Sequence, residues 1–152
     1  MEPLYKPEGV EERWQETWET EGLYEAHAER GGETFVIAHP PPNVTGELHM
    51  GHALQLALAD TLVRMKRMQG FNTLFQPGYD HAGISTQNAV EKHLAKEGKT
   101  RHDLGRQAFE ARDWEWLRPY GRTIMTQFRR IGASLEYRRE RFTMDDDYVR
   151  AV

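Results

Sequence analysis

The sequence predicts an α/β fold, a short parallel sheet with helices, and three observations predict it. Thr34-Phe35-Val36-Ile37-Ala38 is a strand-length apolar run, and Phe71 to Phe75 is a second. Between them Met50, Ala53, Leu54, Ala57, Leu58, Thr61, Leu62 and Met65 recur at helical spacing. Strand, loop, helix, strand is a βαβ unit, which implies parallel strands joined by a right-handed crossover.

The elements follow in order. Val10, Trp14 and Trp18 fall at i, i+4 and i+8 after Pro7, which predicts a first helix ended by Gly22 and packed on the main body through its tryptophans. Gly31-Gly32 marks a turn. The run over 34–38 is apolar throughout and reads as a buried strand. His39-Pro40-Pro41-Pro42 stops it, because proline cannot donate to a ladder. The helix that opens near Met50 ends at Gly70, and Pro77-Gly78 closes the second strand. Ser85 to Lys96 is a further helix with Gly98 after it. Thr100-Arg101-His102-Asp103 has capping-box spacing and opens a long helical stretch. Pro119 is expected to kink or break that stretch, and Gly132 to end it. Phe142-Thr143-Met144 is a candidate strand, and Asp145-Asp146-Asp147 reads as a solvated turn. The expected organisation is a helical N-terminal extension over 1–32 and one α/β domain over 33–152.

Composition narrows the function. With 152 residues, 38% hydrophobic and 29% charged, the chain can bury a real core. It has no apolar run long enough for a bilayer and no secretory pattern at Met1-Glu2-Pro3-Leu4-Tyr5. It contains no cysteine, which fits a cytoplasmic protein and excludes thiolate metal sites. A net charge of -4 argues against a chain whose main work is gripping nucleic-acid phosphates.

The chemistry concentrates between His39 and His52, where the first strand hands over to the helix. Ligands in parallel α/β sheets bind at the carboxyl ends of strands, and a helix N-terminus there offers free N–H groups to phosphate. His49 and His52 are three apart and share a face in the first helical turn. Two imidazole donors and the helix dipole make a site for nucleotide phosphates. Gly51 between them lets a flat ring such as adenine lie on the backbone. Asp80, just past the second strand, suits an ammonium group in the same crevice. Two other readings stay open: His49, His52, Asp80 and His81 as ligands of a hydrolytic metal, and Asp80 as a turn-former or cap for the helix near Ser85. His39 reads as a pocket wall.

The motif contexts resemble the valyl branch of the class I aminoacyl-tRNA synthetases. Pro40-Pro41-Pro42-Asn43-Val44-Thr45-Gly46-Glu47-Leu48-His49-Met50-Gly51-His52 carries that family's His-x-Gly-His signature in its valyl setting. Pro77-Gly78-Tyr79-Asp80-His81-Ala82-Gly83, Lys96 to Arg101 and Phe142-Thr143-Met144-Asp145 are similar too. The resemblance implies the first half of a Rossmann-like nucleotide-binding domain. It implies a ligase that uses ATP with Mg2+ to turn valine into valyl-adenylate and then charges tRNA(Val), the tRNA contacted mainly by parts outside this chain.

On that resemblance His49 and His52 are catalytic, and Asn43, Thr45, His49, Gly51 and His52 bind ATP. Pro41, Pro42, Asn43 and Asp80 bind valine. No tightly bound cofactor, metal or membrane is implied. Tyr79 departs from the family, where a smaller polar residue is expected. The family's second signature, Lys-Met-Ser-Lys-Ser, is absent from the 152 residues, which implies an N-terminal part of a longer enzyme. A stand-alone nucleotidyltransferase with the same histidine signature and a non-catalytic module derived from a synthetase are the alternatives.

Overall fold

A computed structural model describes residues 4, 5 and 7–152. Met1-Glu2-Pro3 and Lys6, part of the expected extension, lie outside the described residues. The chain forms two compact units. The first takes the described residues through His39, then Met50–Pro77 and Thr126–Glu140. The second takes Pro40–His49, Gly78–Met125 and Arg141–Val152.

The first unit contains helix α1 (Val10–Thr20), strand β1 (Thr34–Ala38), helix α2 (Met50–Met68) and strand β2 (Asn72–Gln76). β1 and β2 pair in parallel from Thr34↔Asn72 to Ala38↔Gln76, as the βαβ reading requires. The backbone N–H of His39 extends the ladder to the Gln76 carbonyl at 3.0 Å. Leu56, Val63, Phe75, Phe128 and Leu135 form the unit's buried core.

Two expectations about burial are corrected. β1 alternates between exposed and half-buried, with Val36 59% exposed. Thr34, Val36 and Ala38 share one face of the strand, and that face meets solvent. The helix α2 is where the spacing puts it, but its buried residues are Leu56 and Val63. Met50, Leu54, Leu58, Leu62 and Met65, which mark the predicted apolar face, are exposed. A helix apolar on both sides does not reveal from its pattern which side packs. In α1, Trp14 stacks on Trp18 at 6.3 Å, and Trp18 meets Tyr24 at 6.0 Å. Trp14 itself stays exposed.

A polar lock ties α2 to the segment after Gly132. Asp60 accepts the Ser134 backbone N–H at 3.0 Å and the Ser134 hydroxyl. Arg64 Nε donates to Asp60 Oδ2 at 2.7 Å, and Arg67 donates to the Ser134 carbonyl at 2.9 Å. Ser134 is fully buried, so its donors need these partners.

The second unit contains strand β3 (Gly78–Tyr79), helix α3 (Ile84–Lys96), helix α4 (Arg101–Leu104), most of helix α5 (Arg106–Arg130), strand β4 (Arg141–Phe142) and helix α6 (Asp146–Ala151). Val90, Leu94 and Phe109 form its core, with Leu104 and Trp116 against it. The capping box forms: Thr100 Oγ1 accepts the Asp103 N–H, and Asp103 Oδ2 accepts the Thr100 N–H at 2.8 Å.

Four expectations are revised here. The capping box opens only α4, because Gly105 at φ 73 stops that helix and α5 starts afresh. α5 runs unbroken through Pro119. The proline ring removes one donor, toward the Glu115 carbonyl, and both residues are exposed, so water can satisfy that oxygen. Asp146 and Asp147 form the first turn of α6, where negative charge meets the positive end of the helix dipole. Pro77-Gly78 is also no simple stop, since Gly78 begins β3. Among the described residues no helix is long and apolar enough to cross a membrane.

Asp60→Ala leaves the Ser134 N–H and Arg64 Nε without their acceptor, and is expected to destabilise the chain by about 1–3 kcal/mol in urea denaturation.

Candidate functional site

Pairing in the second unit brings the candidate amino-acid residues together. Asn43 and Asp80 form a parallel bridge. The Asp80 N–H donates to the Pro42 carbonyl at 2.9 Å, and the Val44 N–H donates to the Asp80 carbonyl at 3.0 Å. Val44 and Pro42 are buried, while Pro41, Asn43 and Thr45 are exposed. The loop is therefore anchored by alternate residues and presents the others.

The Asp80 side chain is held separately. Its Oδ1 accepts the Thr143 hydroxyl at 2.8 Å and lies 3.5 Å from His81 Nδ1. Thr143 Oγ1 accepts the His81 backbone N–H at 3.0 Å. Asp80 is no helix cap: α3 starts at Ile84 behind Gly83 with no side-chain cap. Ala82 takes a left-handed φ of 59, so this loop carries local backbone strain.

Parallel pairing of β3 and β4 delivers Thr143. Gly78 faces Arg141 and Tyr79 faces Phe142. A Cβ at Gly78 would stand 2.7 Å from the Arg141 carbonyl oxygen, so only glycine permits this approach. The Tyr79 ring stacks on Phe142 at 4.9 Å and covers Gly121, whose added Cβ would lie 2.8 Å from Tyr79 Cζ. That ring is thus engaged by α5 and β4. The Thr143 contact was missed in the sequence: Phe142-Thr143-Met144-Asp145 stood out as a motif, but nothing in its spacing points to Asp80.

His49 is the residue before α2 and exposed; it belongs to the second unit. Gly51 and His52 lie in the first turn of α2, in the first unit. The helix begins one residue later than a shared helical face for both histidines requires.

His39, in the first unit, is 4% exposed and sits edge-on to Phe75 and Phe128 at 5.6 and 5.3 Å. Its Nδ1 is buried without a hydrogen bond. Burial, with the nearby His52 charge second, lowers its pKa from 6.5 to about 4. It is a packed core histidine. Among the described residues no group of three or more His, Cys, Asp or Glu side chains is arranged to hold a metal ion, so the metal-hydrolase reading gains no ligand set.

Comparisons with known proteins agree with one another. A family model described as tRNA synthetases class I (I, L, M and V) matches residues 13–152. A valine–tRNA ligase of Geobacter sulfurreducens is 54% identical over 149 residues, covering 98% of this chain and 17% of that protein. One from Gluconobacter oxydans is 51% identical over 152 residues, covering 100% of this chain and 17% of its own length. The chain thus spans about a sixth of the length of these relatives. A crystal structure of a LeuRS–tRNA–LeuAMS ternary complex from Agrobacterium radiobacter superposes with a TM-score of 0.77. It is 21% identical and covers 96% of this chain and 17% of that one, which shows a common α/β fold of the Rossmann-like synthetase type.

Two outcomes follow from this geometry. Gly78→Ala is expected to cost about 1–3 kcal/mol of stability in urea denaturation, because the obstacle is a backbone carbonyl. For His39 the folded pKa lies below the unfolded one, so its stabilising contribution is complete above pH 6.5 and is lost as pH falls toward about 4. Its ring resonances should hold their NMR shifts from about pH 8 down to about pH 5.5.

Proposed function

The chain belongs to the class I tRNA synthetases of the isoleucine, leucine, methionine and valine group, and from that premise we propose that it is the N-terminal, amino-acid-activating part of a valine–tRNA ligase. The relatives named above support the choice of valine. The observation that carries the chemistry is the Asn43–Asp80 bridge. It aligns an acidic side chain with the loop that leads into His49-Met50-Gly51-His52.

In this reading the valine carboxylate attacks the α-phosphorus of ATP. The P–O bond to the leaving group breaks, giving valyl-adenylate and pyrophosphate, and the valyl group then passes to tRNA(Val). Asp80 holds the α-ammonium. Pro41 and Pro42 give the side-chain pocket a stiff wall, since proline fixes φ. Asn43 and Thr45, on the exposed side of the anchored loop, meet valine and nucleotide. His49 and His52 donate to ATP phosphates and Gly51 lies under adenine, at a helix N-terminus that favours negative charge. Magnesium arrives with ATP as part of the substrate. tRNA is held mainly by regions beyond this chain, and the place of action is the cytoplasm.

The test is valine-dependent exchange of labelled pyrophosphate into ATP by the full-length protein carrying this chain. His52→Ala should lower the rate by about 10²–10³ if His52 meets charge that develops at the phosphates. Exchange that ignores valine, or that survives this change undiminished, would overturn the assignment.

A further inference from the structure

Asp80 is fixed at its backbone by Pro42 and Val44, which leaves its two side-chain torsions to be set by something else. The group that sets them is Thr143. A carboxylate cannot donate, so the 2.8 Å contact to Asp80 Oδ1 must use the Thr143 proton. The His81 N–H at 3.0 Å takes one lone pair of the hydroxyl, and His81 Nδ1 lies 3.1 Å from the same oxygen. With neighbours on three sides, the hydroxyl has one way to point.

Thr143 is itself placed by backbone. Its N–H reaches the Tyr79 carbonyl at 3.3 Å, next to Asp80 in sequence. The turn around it is closed at both ends by Asp145, whose N–H donates to the Phe142 carbonyl and whose Oδ2 accepts the Phe142 N–H, each at 2.9 Å. This gives Phe142-Thr143-Met144-Asp145 a role that its sequence did not disclose. Meanwhile Asp80 keeps 32% of its side chain exposed, and the Thr143 hydroxyl engages its Oδ1.

We propose that Thr143 is a positioning residue that presents Asp80 to the amino group of the amino-acid substrate. The proposal rests on the reading of Asp80 as the ammonium partner. Thr143 holds Oδ1 while the side chain stays partly exposed, so a substrate ammonium meets a carboxylate already in place. Binding then avoids the cost of ordering that side chain.

The experiment is steady-state pyrophosphate exchange by the full-length protein with valine and ATP varied separately. Thr143→Val keeps the shape and removes the hydroxyl; it should raise the KM for valine roughly tenfold while the KM for ATP moves less than about twofold. Thr143→Ser restores the hydroxyl and should return the valine KM to within about threefold of the parent. In an Asp80→Asn background, Thr143→Val should add nothing, the signature of two residues acting as a unit.

An unchanged valine KM in Thr143→Val overturns the proposal. So does a parallel rise in both KM values that serine does not rescue, which is the mark of a general structural role. If Thr143→Val does not fold, Thr143→Ala takes its place under the same criteria. Asp80→Asn with an unchanged valine KM would refute the ammonium reading itself. Impaired Asp80→Asn beside a normal Thr143→Val would refute only the positioning role.

Discussion

Parallel pairing of β1 with β2 is the constraint from which the first unit follows. Two parallel strands cannot be closed by a turn, so the chain between Ala38 and Asn72 must travel back along the sheet. α2 is that return path. The stretch ahead of it leaves the β1–β2 ladder, and three consecutive prolines can sit there without leaving a carbonyl of that ladder unanswered. The start of α2, with Gly51 and His52, is set by the same requirement. The Asp60–Ser134 lock then fixes the helix along its length, from a residue one turn past the buried Leu56.

The second unit repeats parallel pairing on a smaller scale. Neither the Asn43–Asp80 bridge nor the two-residue strands β3 and β4 would stand alone in water. They are held because the chain on either side is tied down by α3, α5 and the turn that Asp145 closes. Asp80 lies where these pairings meet. Its backbone answers to the proline loop and its side chain to the segment after β4. A carboxylate meant to receive a small cation gains from such double anchoring, since a free one would have to be ordered each time.

The fold was legible where local signals are strong. The bounds of β1 and the end of α2 come from runs of one character ended by proline or glycine. What the sequence withheld depends on distant partners. Val36 belongs to an apolar run, yet nothing in the run says which side lacks cover. Leu54 and Leu58 lie on the more regular stripe of α2, while Leu56 and Val63 are the residues that pack. Pro119 does not break α5, because its cost turns on whether the Glu115 carbonyl can reach water. The candidate site divides the same way. Asn43, Asp80, His49 and His52 announce themselves by motif, whereas Thr143 is found only once β4 lies beside β3.

Gly78 and Gly121 both lack room for a methyl group, but they differ in what stands in the way. At Gly78 the obstacle is the Arg141 carbonyl, part of the main chain. At Gly121 it is the tip of the Tyr79 ring. The two positions should therefore evolve differently. No second substitution can make space for a side chain at 78, so a lineage keeps glycine there or gives up the β3–β4 contact. Position 121 is coupled instead to position 79. A lineage with a smaller residue at 79 is free to drift away from glycine at 121, and one that acquires tyrosine at 79 must first have, or restore, the glycine.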